Sequence, residues 1–154
     1  EANLFGVELE TRKNVTEQLQ LVLNASYILS ETKSKEEDIF RTANVERPMY
    51  GQSPYTFNAG AYYTIPVWNI ELSANYNTFG ERIVTVGMGR HPGDEYEQPF
   101  HQVDVGVKYR TGNFTIKADI ENLLNDDVIY EQGDVVTNKF NPGVTYNMGI
   151  TYNF

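Results

Sequence analysis

From Gly143 to Phe154 the chain alternates without a break: Val144, Tyr146, Met148, Ile150, Tyr152 and Phe154 share one parity, and Thr145, Asn147, Gly149, Thr151 and Asn153 the other. Successive side chains of a strand face opposite ways, so this stretch predicts a strand with one apolar and one polar side. The same period recurs upstream. It predicts strands over Glu1–Arg12, with Phe5, Val7 and Leu9 against Gly6, Glu8 and Glu10, and over Thr16–Ser30, where Leu19, Leu21, Leu23, Ala25, Tyr27 and Leu29 oppose Gln18, Gln20, Asn24, Ser26 and Ser30. Further strands are predicted over Tyr55–Thr64, Asn69–Tyr76, His101–Arg110 and Asn113–Glu121, seven in all. Val22 and Ile28 are the exceptions to the alternation of the second strand.

The connections alternate as well. Lys13–Asn14, Pro66–Trp68 and Thr111–Gly112 predict short turns, whereas Glu31–Pro54, Phe79–Phe100 and Asp126–Pro142 are long and polar, the second with a strand extension expected through Arg82–Val86. Short connections at one end and long loops at the other are the habit of transmembrane barrels, whose strands face lipid on one side and a wet lumen on the other. With Phe154 at the periplasmic rim, all three turns fall on that rim and all three loops outside. The outward aromatics then form two belts, Tyr63, Trp68, Tyr109, Phe114, Tyr152 and Phe154 low, and Tyr27, Tyr55, Phe57, Tyr76 and Tyr146 high, as amphipathic rings prefer at the two interfaces.

Composition bounds the function. Mean hydropathy is negative and no run of about eighteen apolar residues exists, which excludes a spanning helix but not spanning strands. Eleven Tyr and eight Phe against one Trp favour strands. A net charge of −9 excludes a nucleic-acid footprint, and the absence of Cys excludes disulfides and thiolate metal sites. The chain does not begin with Met or a signal peptide, so a processed product or a piece of a longer polypeptide is expected. A bacterial barrel has an even number of strands, and an open edge in hydrocarbon costs several kcal/mol per unpaired group, so the wall is expected to be completed by other strands.

The last strand resembles the terminal strand of bacterial outer-membrane barrels, with Met148, Ile150 and Tyr152 spaced by two before a final Phe154. In that family this pattern is read by the assembly machinery. Together with RPMYGQSPYTFNAGAYY (Arg47–Tyr63) and DIENLLND (Asp119–Asp126), it resembles the C-terminal part of TonB-dependent outer-membrane receptors of the kind common in Bacteroidota. The resemblance implies an all-β fold, an antiparallel transmembrane barrel of about 22 strands around a plug, of which these are the last seven. It implies residues 1–154 as a piece lacking the plug and the TonB box. It implies uptake of a scarce nutrient, a metal chelate, peptide or glycan, in the bacterial outer membrane. The implied partners are the rest of the barrel and plug, TonB, lipid and lipopolysaccharide, the assembly machinery and a surface lipoprotein. The glycan-importing branch carries a Gly-x-Asp-Pro-Glu-like stretch in its last outer loop, which Asp126–Pro142 lacks.

Candidate chemistry is sparse. The long-loop aromatics Tyr50, Tyr55, Phe100 and Tyr130 are the expected ligand contacts. Pairing across a Thr111–Gly112 turn would set Asp104 opposite Asp119 and Gly106 opposite Lys117, with Lys108 one step lower, an expected ladder of lumenal ion pairs against the plug. His91 and His101 near Asp94, Glu95 and Glu97 match no metal-ligand spacing, and Asp126, Asp127, Glu131 and Asp134 lack the EF-hand frame, so both groups read as solvated acidic loops. Gly87 and Gly89 form no dinucleotide fingerprint, and no Ser, His and Asp set suggests an enzyme or a cofactor. The sequons at Asn14, Asn24 and Asn113 are incidental in a bacterial protein. Two other classes remain open at this level. One is a soluble all-β ligand-binding module, in which Leu21, Val105 and Ile150 would share a dry interior. The other is a structural or secretion-complex barrel of the same fold.

Overall fold

A computed structural model describes residues 1–33, 44–88 and 93–154. The wall consists of β1 (Ala2–Asn14), β2 (Leu19–Lys33), β4 (Tyr55–Ile65), β5 (Ile70–Phe79), β8 (His101–Thr111), β9 (Phe114–Glu121) and β12 (Thr145–Tyr152). They pair antiparallel in chain order, with the short β3 (Glu46–Arg47) against the upper end of β2. The seven alternating stretches are thus the seven wall strands, and β6 (Arg82–Thr85) occupies the anticipated extension.

The register carries each strand's parity into its neighbour. Lys13, Leu21, Ala61, Ala74, Val105, Ile120 and Tyr146 are successive partners across the wall. One residue further along, Asn14, Gln20, Tyr62, Ser73, Gly106, Asp119 and Asn147 form the adjoining row on the opposite face. A slip of one residue anywhere would exchange these faces. Both rows begin at the bottom of β1 and end near the top of β12, the climb expected of tilted, sheared strands.

Among the described residues no second layer covers the apolar face. Leu21 is 43% exposed and Ile150 63%, and Val105 is half-buried. Leu21, Val105 and Ile150 therefore share no dry interior among the described residues. Among the described residues the fully buried apolar side chain is Ile83, at 1% exposure, and it lies in the loops.

Those loops build a second sheet, ordered β6, β7 (Glu95–Glu97), β10 (Val128–Gln132) and β11 (Val135–Phe140). Its strands come from the connections β5 to β8 and β9 to β12.

Two turns differ from expectation. The first lies at 15–18, where Val15 and Thr16 N–H donate to Leu19 O and the Thr16 hydroxyl accepts from Leu19 N at 2.9 Å. The third is Gly112–Asn113, since Thr111 pairs with Phe114. Gly112 takes φ 53°, which suits a two-residue hairpin loop.

Candidate functional site: the polar face of the wall and the sheet above it

The polar face is a network of short amides and hydroxyls. Asn24 donates to Glu8 Oε1 at 3.0 Å, Asn58 to Asn24 Oδ1 at 3.4 Å, and Asn77 to Asn58 Oδ1, so an amide ladder crosses four strands. Ser26 and Thr56 share a hydrogen bond of 2.7 Å one row up. Tyr62 lies along the wall, its hydroxyl donating to Asn75 Oδ1 at 2.9 Å, and a Cβ at Gly60 would come within 3.1 Å of the Tyr62 ring. Such groups hold water or a polar partner; in hydrocarbon they would be costly.

The expected ladder of ion pairs is arranged differently. Because the turn sits at Gly112–Asn113, Gly106 faces Asp119 and Lys108 faces Lys117, two residues away from the anticipated pairing. An even slip keeps Asp104, Lys108, Lys117 and Asp119 on the face assigned to them but changes their partners. Lys108 Nζ pairs instead with Glu71 Oε2 at 2.8 Å on β5, and Arg110 Nη2 approaches the same oxygen at 2.6 Å. Asp104 accepts from Gln102 Nε2 at 3.0 Å and from Asn122 N at 2.9 Å. It thereby anchors the turn Asn122–Asn125, closed by Asn125 N–H to Asn122 O, with Asn122 and Asn125 both at positive φ.

The acidic loops are not simply solvated. Asp94, whose side chain is 0% exposed, accepts from Arg47 Nη1 at 3.0 Å, Asn44 Nδ2 at 3.0 Å and Gly87 N at 2.9 Å. Glu97 is buried and pairs with Arg82 at 2.7 Å. Glu95 accepts from the hydroxyls of Thr137 and Thr85, in that order of effect, which holds its carboxyl below the ordinary range. Asp127 is likewise held down, first by Lys139 at 2.8 Å and then by Asn141, while Lys139 is raised. Burial, reinforced by Asp94, pushes the Tyr96 phenol up. Asp126 accepts from His101 N at 2.9 Å. These carboxylates tie the loops to one another, a role that their polarity alone does not reveal; the Ile83–Val84 pair inside a polar loop was the available signal. His91 lies outside the described residues, and among the described residues no group of His, Asp and Glu is arranged to hold a metal ion.

The four aromatic candidates are not brought together. Tyr55 shares its row with Tyr27 on the apolar face, and its ring stands where a Cβ on Gly80 would meet it at 2.8 Å. The register thus keeps Tyr55 in the upper girdle, where the alternation had also placed it, at the outer end of β4. Tyr50 is exposed, Phe100 is half-buried beside the start of β8, and Tyr130 stacks on Phe140 at 6.4 Å between centroids. At the other rim Met148, Ile150 and Tyr152 stand exposed on the apolar face, and Tyr152 packs between Phe114 at 4.9 Å and Phe154 at 5.1 Å.

Residues 1–123 match the model of the family described as TonB dependent receptor-like, beta-barrel. The chain superposes on the siderophore receptor PiuA from Acinetobacter baumannii with a TM-score of 0.72 at 13% identity, over 98% of this chain and 22% of that one. It therefore spans about a fifth of that receptor's length. No curated protein sequence matches. A wall sheet with one apolar and one polar face, long loops at one rim and short turns at the other, and a family match over four-fifths of its length together mean that this chain belongs to the TonB-dependent receptor-like β-barrels of the bacterial outer membrane.

Proposed function

We propose that this chain supplies the last seven strands of a transport barrel of about 22 strands, in a receptor that takes up a scarce nutrient, a metal chelate, peptide or glycan, by TonB-coupled transport. The observation that carries the reading is the pair of adjoining rows, apolar from Leu21 to Tyr146 and polar from Asn14 to Asn147, which assigns one face to lipid and the other to a hydrated passage. The plug and the remaining strands belong on the polar side and at the open edges, TonB acts through the plug, and phospholipid and lipopolysaccharide cover the apolar side. Asp104, Lys108, Lys117 and Asp119 face the lumen, and Tyr50, Tyr55, Phe100 and Tyr130 contribute ligand contacts from outside. Met148, Ile150, Tyr152 and Phe154 present the assembly signal.

The test is accumulation of labelled chelates, peptides and glycans by cells that depend on the full-length receptor. Metal chelates come first, because the fold neighbour is a siderophore receptor. Uptake of one class that disappears with either the receptor or TonB supports the reading; uptake indifferent to TonB overturns it. Joint substitution of Tyr50, Tyr55, Phe100 and Tyr130 by Ala is expected to weaken binding by about tenfold or more, and unchanged affinity rejects their role. Removal of Phe154 is expected to lower the amount of folded receptor in the membrane.

A further inference from the structure

The upper sheet repeats the order of the wall beneath it. β6 follows β5, β7 precedes β8, β10 follows β9 and β11 precedes β12 along the chain, and the upper strands pair in that same sequence. Its β11 edge therefore stands on the β12 side.

The two edges of this sheet differ. On the β6 side the neighbouring loop, between β2 and β4, closes over it: Gly51 N–H donates to Ile83 O at 2.9 Å, and Arg47 reaches Asp94. On the β11 side every residue from Val135 to Phe140 is exposed, with Val135 at 63% and Val136 at 52%. A strand paired on one side directs alternate N–H and C=O groups to the other, and such an edge pairs readily unless charge, Pro or another segment guards it. The one charge in β11, Lys139, is engaged by Asp127 at 2.8 Å. A bulge beside Tyr130 twists the strand without covering it.

We propose that an extended extracellular segment of the polypeptide that pairs with β12 adds to β11 as the next strand of the upper sheet, its apolar side chains against Val135 and Val136. This rests on the reading that the wall continues beyond β12. That edge lies in hydrocarbon, where unpaired backbone groups cost several kcal/mol each, so the wall must continue there. The strand that closes it emerges at the outer rim beside β11. At the opposite edge the β2–β4 loop already meets β6 through a backbone hydrogen bond from Gly51 N–H to Ile83 O, so neighbouring outer segments of one receptor reach this sheet, which favours this occupant over a lipoprotein strand or a bound peptide.

The test is amide-resolved hydrogen exchange on the detergent-solubilised full-length receptor without ligand. Both alternating sets of amides in Val135–Phe140 are expected to be protected to within roughly tenfold of those in β12. If every second amide of β11 exchanges as in an unstructured chain while β12 stays protected, the inference is overturned and the barrel reading stands. Protection that appears only after a ligand or lipoprotein is added also overturns it, assigning the edge to that partner. Rapid exchange of alternate β12 amides refutes the continued wall itself, and the inference with it.

Discussion

Arg47 Nη1 lies 3.0 Å from Asp94 Oδ1, and the two side chains are 9% and 0% exposed. One belongs to the connection after β2 and the other to the connection after β5, so a single ion pair joins two outer loops. Removing one partner of a buried pair leaves the other charge uncompensated, at about 3 kcal/mol or more. Arg47→Ala is accordingly expected to release the loops while sparing the wall. Hydrogen exchange at Gly87 and β7 is expected to accelerate strongly, with that of β4 and β5 unchanged; equal exchange in both proteins refutes the clamp.

Acid is expected to loosen the upper sheet. Glu95 and Asp127 ordinarily titrate at 4.5 and 3.8, and both are held lower in the folded chain, by Thr137 and Thr85 and by Lys139 and Asn141. For a depressed carboxyl the stabilising contribution is complete above the ordinary value and fades as pH falls through the folded one. The sheet is predicted to be insensitive to pH above about 5 and to weaken progressively below about 4.5, read from exchange in β10 and β11 against β8. Substituting Glu95→Gln together with Asp127→Asn is expected to flatten this response.

Two wall and rim glycines make an internal contrast. A Cβ at Gly80 would stand 2.8 Å from both Pro54 Cγ and Tyr55 Cε1, whereas one at Gly149 meets no atom of the described residues within 4 Å. Pro54 and the Tyr55 ring are stiff, so Gly80→Ala is expected to cost about 1–3 kcal/mol. Gly149→Ala is expected to be neutral or stabilising by about 0.5 kcal/mol, through the smaller entropy lost on folding. The temperature at which the folded receptor loses its compact gel mobility separates the two.

Glu71 offsets a local excess of positive charge. Lys108 and Lys117 are direct cross-strand partners, an unfavourable placement for like charges. The Glu71 carboxylate lies between Lys108 and Arg110. These groups are partly solvated, so the effect is modest: Glu71→Gln is expected to lower stability by less than about 1 kcal/mol, and less at high salt. Adding Lys117→Gln is expected to restore most of the loss. A double variant no better than the single one would contradict the repulsion.

Strand identity and facing were legible along the chain because alternation is a local property: Leu21 and Gln20 differ in chemistry and are neighbours, so the strand can orient only one way between lipid and water. Parity survives even an incorrect turn, and Asp104, Lys108, Lys117 and Asp119 kept their face although the hairpin turned at Gly112–Asn113. Their partners were decided by register, which a two-residue slip changes without disturbing any hydrophobic pattern. The upper sheet was less legible still. Arg82–Val86 showed as a short strand, but nothing in the order of residues joins Arg47 to Asp94 or Gly51 to Ile83, contacts between segments 47 and 32 residues apart. Chain order alone determined what each strand shows to lipid and to water; only the tertiary structure decided which strand ends meet above the wall, because pairing between distant loops depends on where the wall has already placed them.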